Sequence, residues 1–404
     1  MQFGIVLAAL KKHRMATFLI ALEIALACGV LCNAIFLMIE RSNGMQLVSG
    51  VDESALGIVQ LAGFQPENAA DINARVLGAI RQVQGVTAAG VISALPFGNP
   101  GTRAGVFVDE GLQRSGGVLD FYLMEPAALD ALGVTLVAGR LPTPDEYAPI
   151  DAYLPANPPV LVTEELAQRY WPGESALGRS IWAMDTRLQV IGVIEHLSVT
   201  QPGGGEALGA DWSLVVPAQP GPKLAGRYVV RAGGAELPRV MRDVEAAVQR
   251  AAPDVVYDAD ASRSVPQLRR TYFEGARVMR GMLAGVIVAL LGATALGIVG
   301  LASYWVDQRR NQIGIRRALG ATRRDILWYF QVENFIIVSL GIAIGVLLAY
   351  GMNLVLMRFY ELPRLPLLCV PVSALMLWSL GQLAVLAPAL RAAAIAPVAA
   401  IRSL

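Results

Sequence analysis

The sequence predicts a mixed architecture: an α-helical membrane domain with four transmembrane helices plus a large extracytoplasmic α+β domain of two lobes. Three observations predict it. Four apolar runs are each long enough to cross a bilayer, one near the N-terminus and three in the last third. Between the first and second, from Arg41 to about Thr271, long apolar runs vanish and Gly, Pro and charge take over. Finally, Arg309, Arg310, Arg316, Arg317, Arg323 and Arg324 fall as three pairs seven residues apart between the second and third runs, which places that loop in the cytoplasm. The long polar stretch then lies outside.

Composition agrees with a chain partly in lipid. Its 404 residues are 55% hydrophobic with a mean hydropathy of +0.50, too apolar for an average soluble protein and too polar for a wholly embedded one. The formal net charge of +1 leaves no global basic field and argues against nucleic acid as a partner. Cys28, Cys32 and Cys369 all sit in apolar runs, so the polar middle has no disulfide framework. A domain of that size can bury enough core without staples.

Residues 1–14 read as a cytoplasmic amphipathic segment ending in Lys11, Lys12, His13 and Arg14. The following run, residues 15–39, has the outline of a signal peptide but spans about 37 Å as a helix, more than a signal core needs, and closes without a cleavage site. It reads as an uncleaved first span. Glu23 and Asn33 lie inside it, where polar groups are expensive; either they bond to a neighbouring helix or they take part in transport.

Residues 40–280 form the outer domain. Its two ends read alike: Gly57–Ala62 as strand, Asn68–Gln84 as helix and Val86–Ala94 as strand, against Arg227–Arg231, Glu236–Arg250 and Asp254–Tyr257 in the same order. Two such units can share one α/β layer, giving a first lobe from residues 41–118 and 220–260 and an inserted second lobe from 119–219. Gly203, Gly204 and Gly205 precede no strand-to-helix turn with a lysine and read as a surface loop. Residues 264–280, with Leu268, Tyr272, Ala276 and Met279 on one face, read as a stalk helix running unbroken into the second span, the alternative being a hinge near Gly275 or Gly281.

The second span is residues 281–306, the third 328–356 and the fourth 367–390, with a short external link at 357–366 and a cytoplasmic tail at 391–404 carrying Arg391 and Arg402. Gly281-x-x-x-Gly285 and Gly341-x-x-x-Gly345 both permit close helix packing. Glu333 and Asn334 fall inside the third span, as anchors near its inner end or as part of a substrate path. In the 307–327 loop, Ile315, Leu319 and Ile326 interleave with the arginines at near-helical spacing. Gly320 sits where a left-handed cap ends a helix, and Thr322 with Asp325 makes a capping box for the next one.

The string QRRNQIGIRRALGATRRDIL in this loop resembles the coupling loop of MacB/FtsX-type ABC transporter permeases, whose pattern is close to E-x-G-I-R-R-A-L-G-A-x-x-x-D-I; Gln312 stands where the family usually has an acidic residue. The phrases L-V-A-G-R, W-P-G-E and V-I-G-V-I in the outer domain and PALRAAAIAPVAAIRSL at the end resemble the same family, so the likeness spans almost the whole chain. It implies porter-like and sabre-like outer lobes. It also implies that Gln312, Ile313, Gly314, Ile315, Arg316, Arg317, Ala318, Leu319, Gly320 and Ala321 form a coupling helix that contacts a separate cytoplasmic ABC ATPase. The arginines serve that contact or only anchor topology.

No G-x-x-x-x-G-K-[ST] occurs, the only lysines being Lys11, Lys12 and Lys223, so ATP and Mg are expected on the partner ATPase and no fused ATPase domain or cofactor on this chain. The only histidines, His13 and His196, fall on opposite sides of the membrane, and no Cys/His cluster or G-x-S-x-G is present; no catalytic or metal site is expected. The expectation is a non-catalytic permease subunit of the bacterial inner membrane, multi-pass with both termini cytoplasmic and the large domain periplasmic. It would work as a dimer with a second copy or a paralogue, and with a periplasmic adaptor, converting ATP hydrolysis elsewhere into periplasmic movement for efflux or extrusion. Two alternatives share the fold: an FtsX-like regulator of a periplasmic cell-wall hydrolase, and a lipoprotein-release permease.

Overall fold

The computed structural model describes residues 14–202, 209–360 and 364–394. Lys11, Lys12, His13, the Gly203–Gly205 loop and Arg402 lie outside them. Arg41–Arg277 forms one compact unit, and the helices before and after it form another.

The described residues begin with α1 (Arg14–Gly44), an apolar helix of 31 residues. The outer unit then builds two sheets. In the first, β1 (Leu56–Ala62), α2 (Ala69–Gln82) and β2 (Val86–Val91) interleave with β10 (Arg227–Ala232), α5 (Leu237–Ala251) and β11 (Val256–Tyr257). The strand order is β11-β1-β10-β2, with every pairing antiparallel. Helix α2 buries Ile72, Val76 and Ile80, and α5 buries Val240, Val244 and Val248, one stripe each at helical spacing. Tyr228 of β10 donates to Asn73 Oδ1 of α2 at 2.8 Å, tying the halves of this split unit together.

The second sheet comes from the chain between those halves: β3 (Thr102–Phe107), β4 (Ser115–Met124), β5 (Leu136–Gly139), β6 (Pro159–Thr163), β7 (Ser180–Ala183), β8 (Thr186–Ile194) and β9 (Ser213–Pro217), with α3 (Pro126–Leu132) and α4 (Glu164–Tyr170). Its order is β5-β8-β6-β9-β4-β3-β7, and β7 also pairs with β8, so six of the seven strands close into a ring. The expected lobe boundary at residues 118 and 119 is corrected: it falls inside β4, whose Val118 pairs with Gly105 of β3. The insert starts at Thr102. Its opening strand, TRAGVF, has too little apolar alternation to announce itself. Helix α3 rests on the first sheet at Gly90, where a Cβ would stand 2.3 Å from the Ala128 nitrogen; only glycine allows that approach.

The predicted unbroken stalk is also corrected. Helix α6 (Val265–Tyr272) opens on a Ser264/Gln267 capping box and ends at Phe273, whose φ of −89° and ψ of 10° leave the helical region. Helix α7 (Glu274–Gln308) begins one residue later. Neither Gly275 nor Gly281 is the break; it falls at Phe273, whose ring is buried against Phe97 and Tyr272. Arg269 of α6 donates to the carbonyls of Met45 and Leu47, each at 2.7 Å, pairs with Glu53, and lies over the Phe97 ring.

The helical unit contains α1, α7, α8 (Arg310–Ala318), α9 (Arg323–Tyr360) and α10 (Cys369–Ala393); α1, α7, α9 and α10 are long and apolar enough to cross a membrane. Helices α1 and α9 meet at the Gly341 and Gly345 pair, where added Cβ atoms would lie 2.7 Å from Ile24 and 2.4 Å from Cys28. Gly281 and Gly285 have no such neighbour within 4 Å among the described residues.

Candidate functional site

The turn between α7 and α9 gathers the residues that the sequence singles out. Helix α8 ends in two bonds, Ala321 N–H to the Arg316 carbonyl at 3.1 Å and Gly320 N–H to the Arg317 carbonyl at 3.2 Å, with Gly320 at φ +100°. This is a Schellman cap, which needs the left-handed glycine. Directly after it, the Thr322 N–H donates to Asp325 Oδ2 at 2.9 Å and the Asp325 N–H to Thr322 Oγ1 at 3.2 Å, starting α9. Two adjacent caps pin a sharp reversal.

Helix α8 is two-faced. Ile313 packs with Val306, Ile326, Phe330, Ala389, Ala392 and Ala393, the ends of α7, α9 and α10. On the opposite side Ile315 is 50% and Leu319 83% exposed, beside exposed Gln312, Arg316, Ala318 and Gly320; Ala321 is half-buried. The expected contact surface is therefore narrower than the ten-residue string: Ile313 and Gly314 are buried, because the 3.6-residue repeat turns them onto the bundle.

The arginine pairs also split. Arg310, Arg316, Arg323 and Arg324 are exposed, whereas Arg309 is buried and Arg317 half-buried. Arg317 Nη1 donates to the Ala393 carbonyl of α10 at 2.9 Å. The Arg316 guanidinium lies over the Tyr329 ring, 5.0 Å from its centre. Arg309 Nη1 lies 3.0 and 2.8 Å from the two carboxylate oxygens of Glu333. That ion pair is the feature sequence reasoning missed; the signal for it is that a glutamate inside a membrane helix asks for a cation.

The other intramembrane polar residues are spread through the bundle. Asn33 Nδ2 donates to the Gly29 carbonyl of its own helix at 3.0 Å and to the Ala349 carbonyl of α9 at 3.1 Å. Glu23 faces Gly297 of α7, where a Cβ would stand 2.4 Å from its carboxylate. Asn334 Nδ2 is buried without a hydrogen-bond acceptor among the described residues, next to Gly381 of α10. These three do not converge on a common point with Glu333.

In the outer unit, His196 Nδ1 lies 2.8 Å from Asp211 Oδ2, and that carboxylate raises the imidazole pKa. His196 lines an open cleft of about 560 Å³ with Asp52, Glu53, Thr135, Glu195 and Arg269. Among the described residues no group of three or more His, Cys, Asp and Glu side chains could hold a metal ion.

Two family descriptions match the chain: a MacB-like periplasmic core domain over residues 17–273 and an FtsX-like permease C-terminal domain over residues 284–397. Among curated proteins, the ABC transporter permease YvrN of Bacillus subtilis is 24% identical over 259 residues, 60% of this chain and 61% of that protein. The macrolide export ATP-binding/permease protein MacB of Bradyrhizobium diazoefficiens is 27% identical over 189 residues, 45% of this chain and 28% of that protein. The chain thus spans less than two thirds of the length of either relative. The crystal structure of the periplasmic region of MacB from Actinobacillus actinomycetemcomitans covers 55% of this chain and 94% of its own, at 13% identity and a TM-score of 0.33, too low to argue from.

Proposed function

Since the chain belongs to the ABC transporter permeases that join a MacB-like periplasmic core domain to an FtsX-like C-terminal domain, we propose that it couples ATP hydrolysis by a separate cytoplasmic ATPase to movement of its periplasmic domain. ATP and Mg are bound by that partner, and this chain contributes no catalytic group. The arginine cluster supports a cytoplasmic position for the turn from Gln308 to Ala321, with both termini on the same side. The observation that carries the reading is the outward face of α8: Ile315 and Leu319 are exposed apolar side chains on a short helix whose other face is locked to three membrane helices. Such a knob suits a hydrophobic groove on a soluble partner.

Closure of two ATPase subunits on ATP would move two copies of α8 together in a dimer of this chain or with a paralogue. The four-stranded sheet corresponds to a porter-like lobe and the ring of the second sheet to a sabre-like one, which would squeeze or release cargo, with a periplasmic adaptor completing an efflux path. The large two-sheet outer unit with its W-P-G-E phrase favours extrusion over regulation of a cell-wall hydrolase, while lipoprotein release is served by the same fold. The test is co-purification from membranes: Ile315→Asp with Leu319→Asp abolishes recovery of the ATPase while leaving the permease folded, and undiminished recovery refutes the docking face.

A further inference from the structure

Arg309 is the one residue between the end of α7 at Gln308 and the start of α8 at Arg310. A one-residue joint is where a shift of α8 would be expected to dissipate. Its side chain, however, is not at the surface. The guanidinium turns inward to Glu333, near the third turn of α9, with Arg309 only 8% and Glu333 2% exposed. The Trp305 ring, 5.8 Å away, and the Tyr329 hydroxyl, 3.5 Å away, stand beside it. Three helices therefore meet at one ion pair.

We propose that the Arg309–Glu333 pair is a positioning element that carries displacement of α8 into α9, so that the coupling helix drives the third membrane helix as well as the second. This rests on the reading of α8 as the ATPase contact. Two buried opposite charges resist separation because either one alone would be stranded in a low-dielectric site. An arginine serving only as a topological anchor works as well in water, which is where Arg310, Arg323 and Arg324 are. Arg309 instead accepts burial to reach its partner. The next residue, Asn334, abuts Gly381 of α10, where a Cβ would be 3.2 Å from its Nδ2. Movement at Glu333 therefore reaches α10 with little slack.

The experiment uses the full chain purified with its ATPase and placed in lipid nanodiscs, comparing wild type, Glu333→Gln and the reversed pair Arg309→Glu with Glu333→Arg. Complex yield reports docking, while kcat and KM for ATP, with and without the permease, report coupling. Glu333→Gln is expected to keep complex yield and KM but to lose at least about tenfold of the permease-dependent change in kcat, a loss of order 1.4 kcal/mol. The reversed pair is expected to recover most of it. A Glu333→Gln complex with wild-type kcat, or a reversed pair no better coupled than the single variant, overturns the proposal. If Glu333→Gln fails to accumulate, the reversed pair decides alone: assembly with an unresponsive ATPase overturns it. Absence of ATPase from the wild-type preparation marks the docking reading as the one that fails, and the proposal falls with it.

Discussion

His196 and Asp211 are held together by a 2.8 Å contact between Nδ1 and Oδ2, joining the loop after β8 to the turn before β9. Asp211 raises the histidine pKa first, with Glu195 and Glu164 adding smaller contributions. A pKa raised on folding adds stability that is fully present below the unfolded value near 6.5 and is lost as pH rises through the folded one. The His196 side chain is 44% exposed, so screening keeps the effect below about 1 kcal/mol. NMR titration of the full chain should give a His196 pKa above the free-histidine value. The stability advantage of wild type over His196→Gln should shrink from pH 6 to pH 8; an advantage that grows instead would reverse the assignment.

Ile313 in α8 and Leu319 at its C-cap face opposite ways, and the contrast predicts opposite phenotypes. Ile313→Ala should destabilise the detergent-solubilised chain by about 2–4 kcal/mol through the cavity left against Phe330 and Ala389. Leu319→Ala should leave melting unchanged within about 0.5 kcal/mol. Thermal unfolding monitored by intrinsic fluorescence separates the two, and equal melting shifts would contradict the assigned faces.

The two glycine pairs should respond unequally. Gly345→Val puts carbon where the Cys28 Cβ already stands and should lower the melting temperature by several degrees. At Gly285 an added Cβ meets nothing within 4 Å on another element among the described residues, so Gly285→Val should leave the melting temperature of the monomer nearly unchanged. Matched melting curves of both variants in detergent provide the comparison.

Arg269 anchors the segment that follows α1 to the helix that precedes α7. Arg269→Ala removes a donor from the Met45 and Leu47 carbonyls and leaves the half-buried Glu53 without its cation, costing about 1–3 kcal/mol. Limited proteolysis should then cut near residues 45–53 well before the rest of the outer unit, and a wild-type digestion pattern would deny Arg269 that role.

What could be seen in the sequence was local. Gly320, Thr322 and Asp325 carry their own geometry, because cap chemistry is written within six residues, and the two halves of the first sheet were visible as matching patterns of strand and helix. What stayed hidden depended on partners far along the chain. Gly281-x-x-x-Gly285 and Gly341-x-x-x-Gly345 are identical as patterns, and only the presence of Cys28 and Ile24 distinguishes them. Arg309 and Glu333 are 24 positions apart on different helices. Phe273 carries no breaker chemistry; the break falls where its ring meets others in three dimensions.

The ring of six strands has a consequence for how the protein is made. Strand β4 lies parallel to β9, about ninety residues further on, and β1 must wait for β10, so neither sheet can be completed by what has already emerged. Until Ser213–Pro217 and then Arg227–Ala232 are in place, the strands that pair with them stand with bare edges.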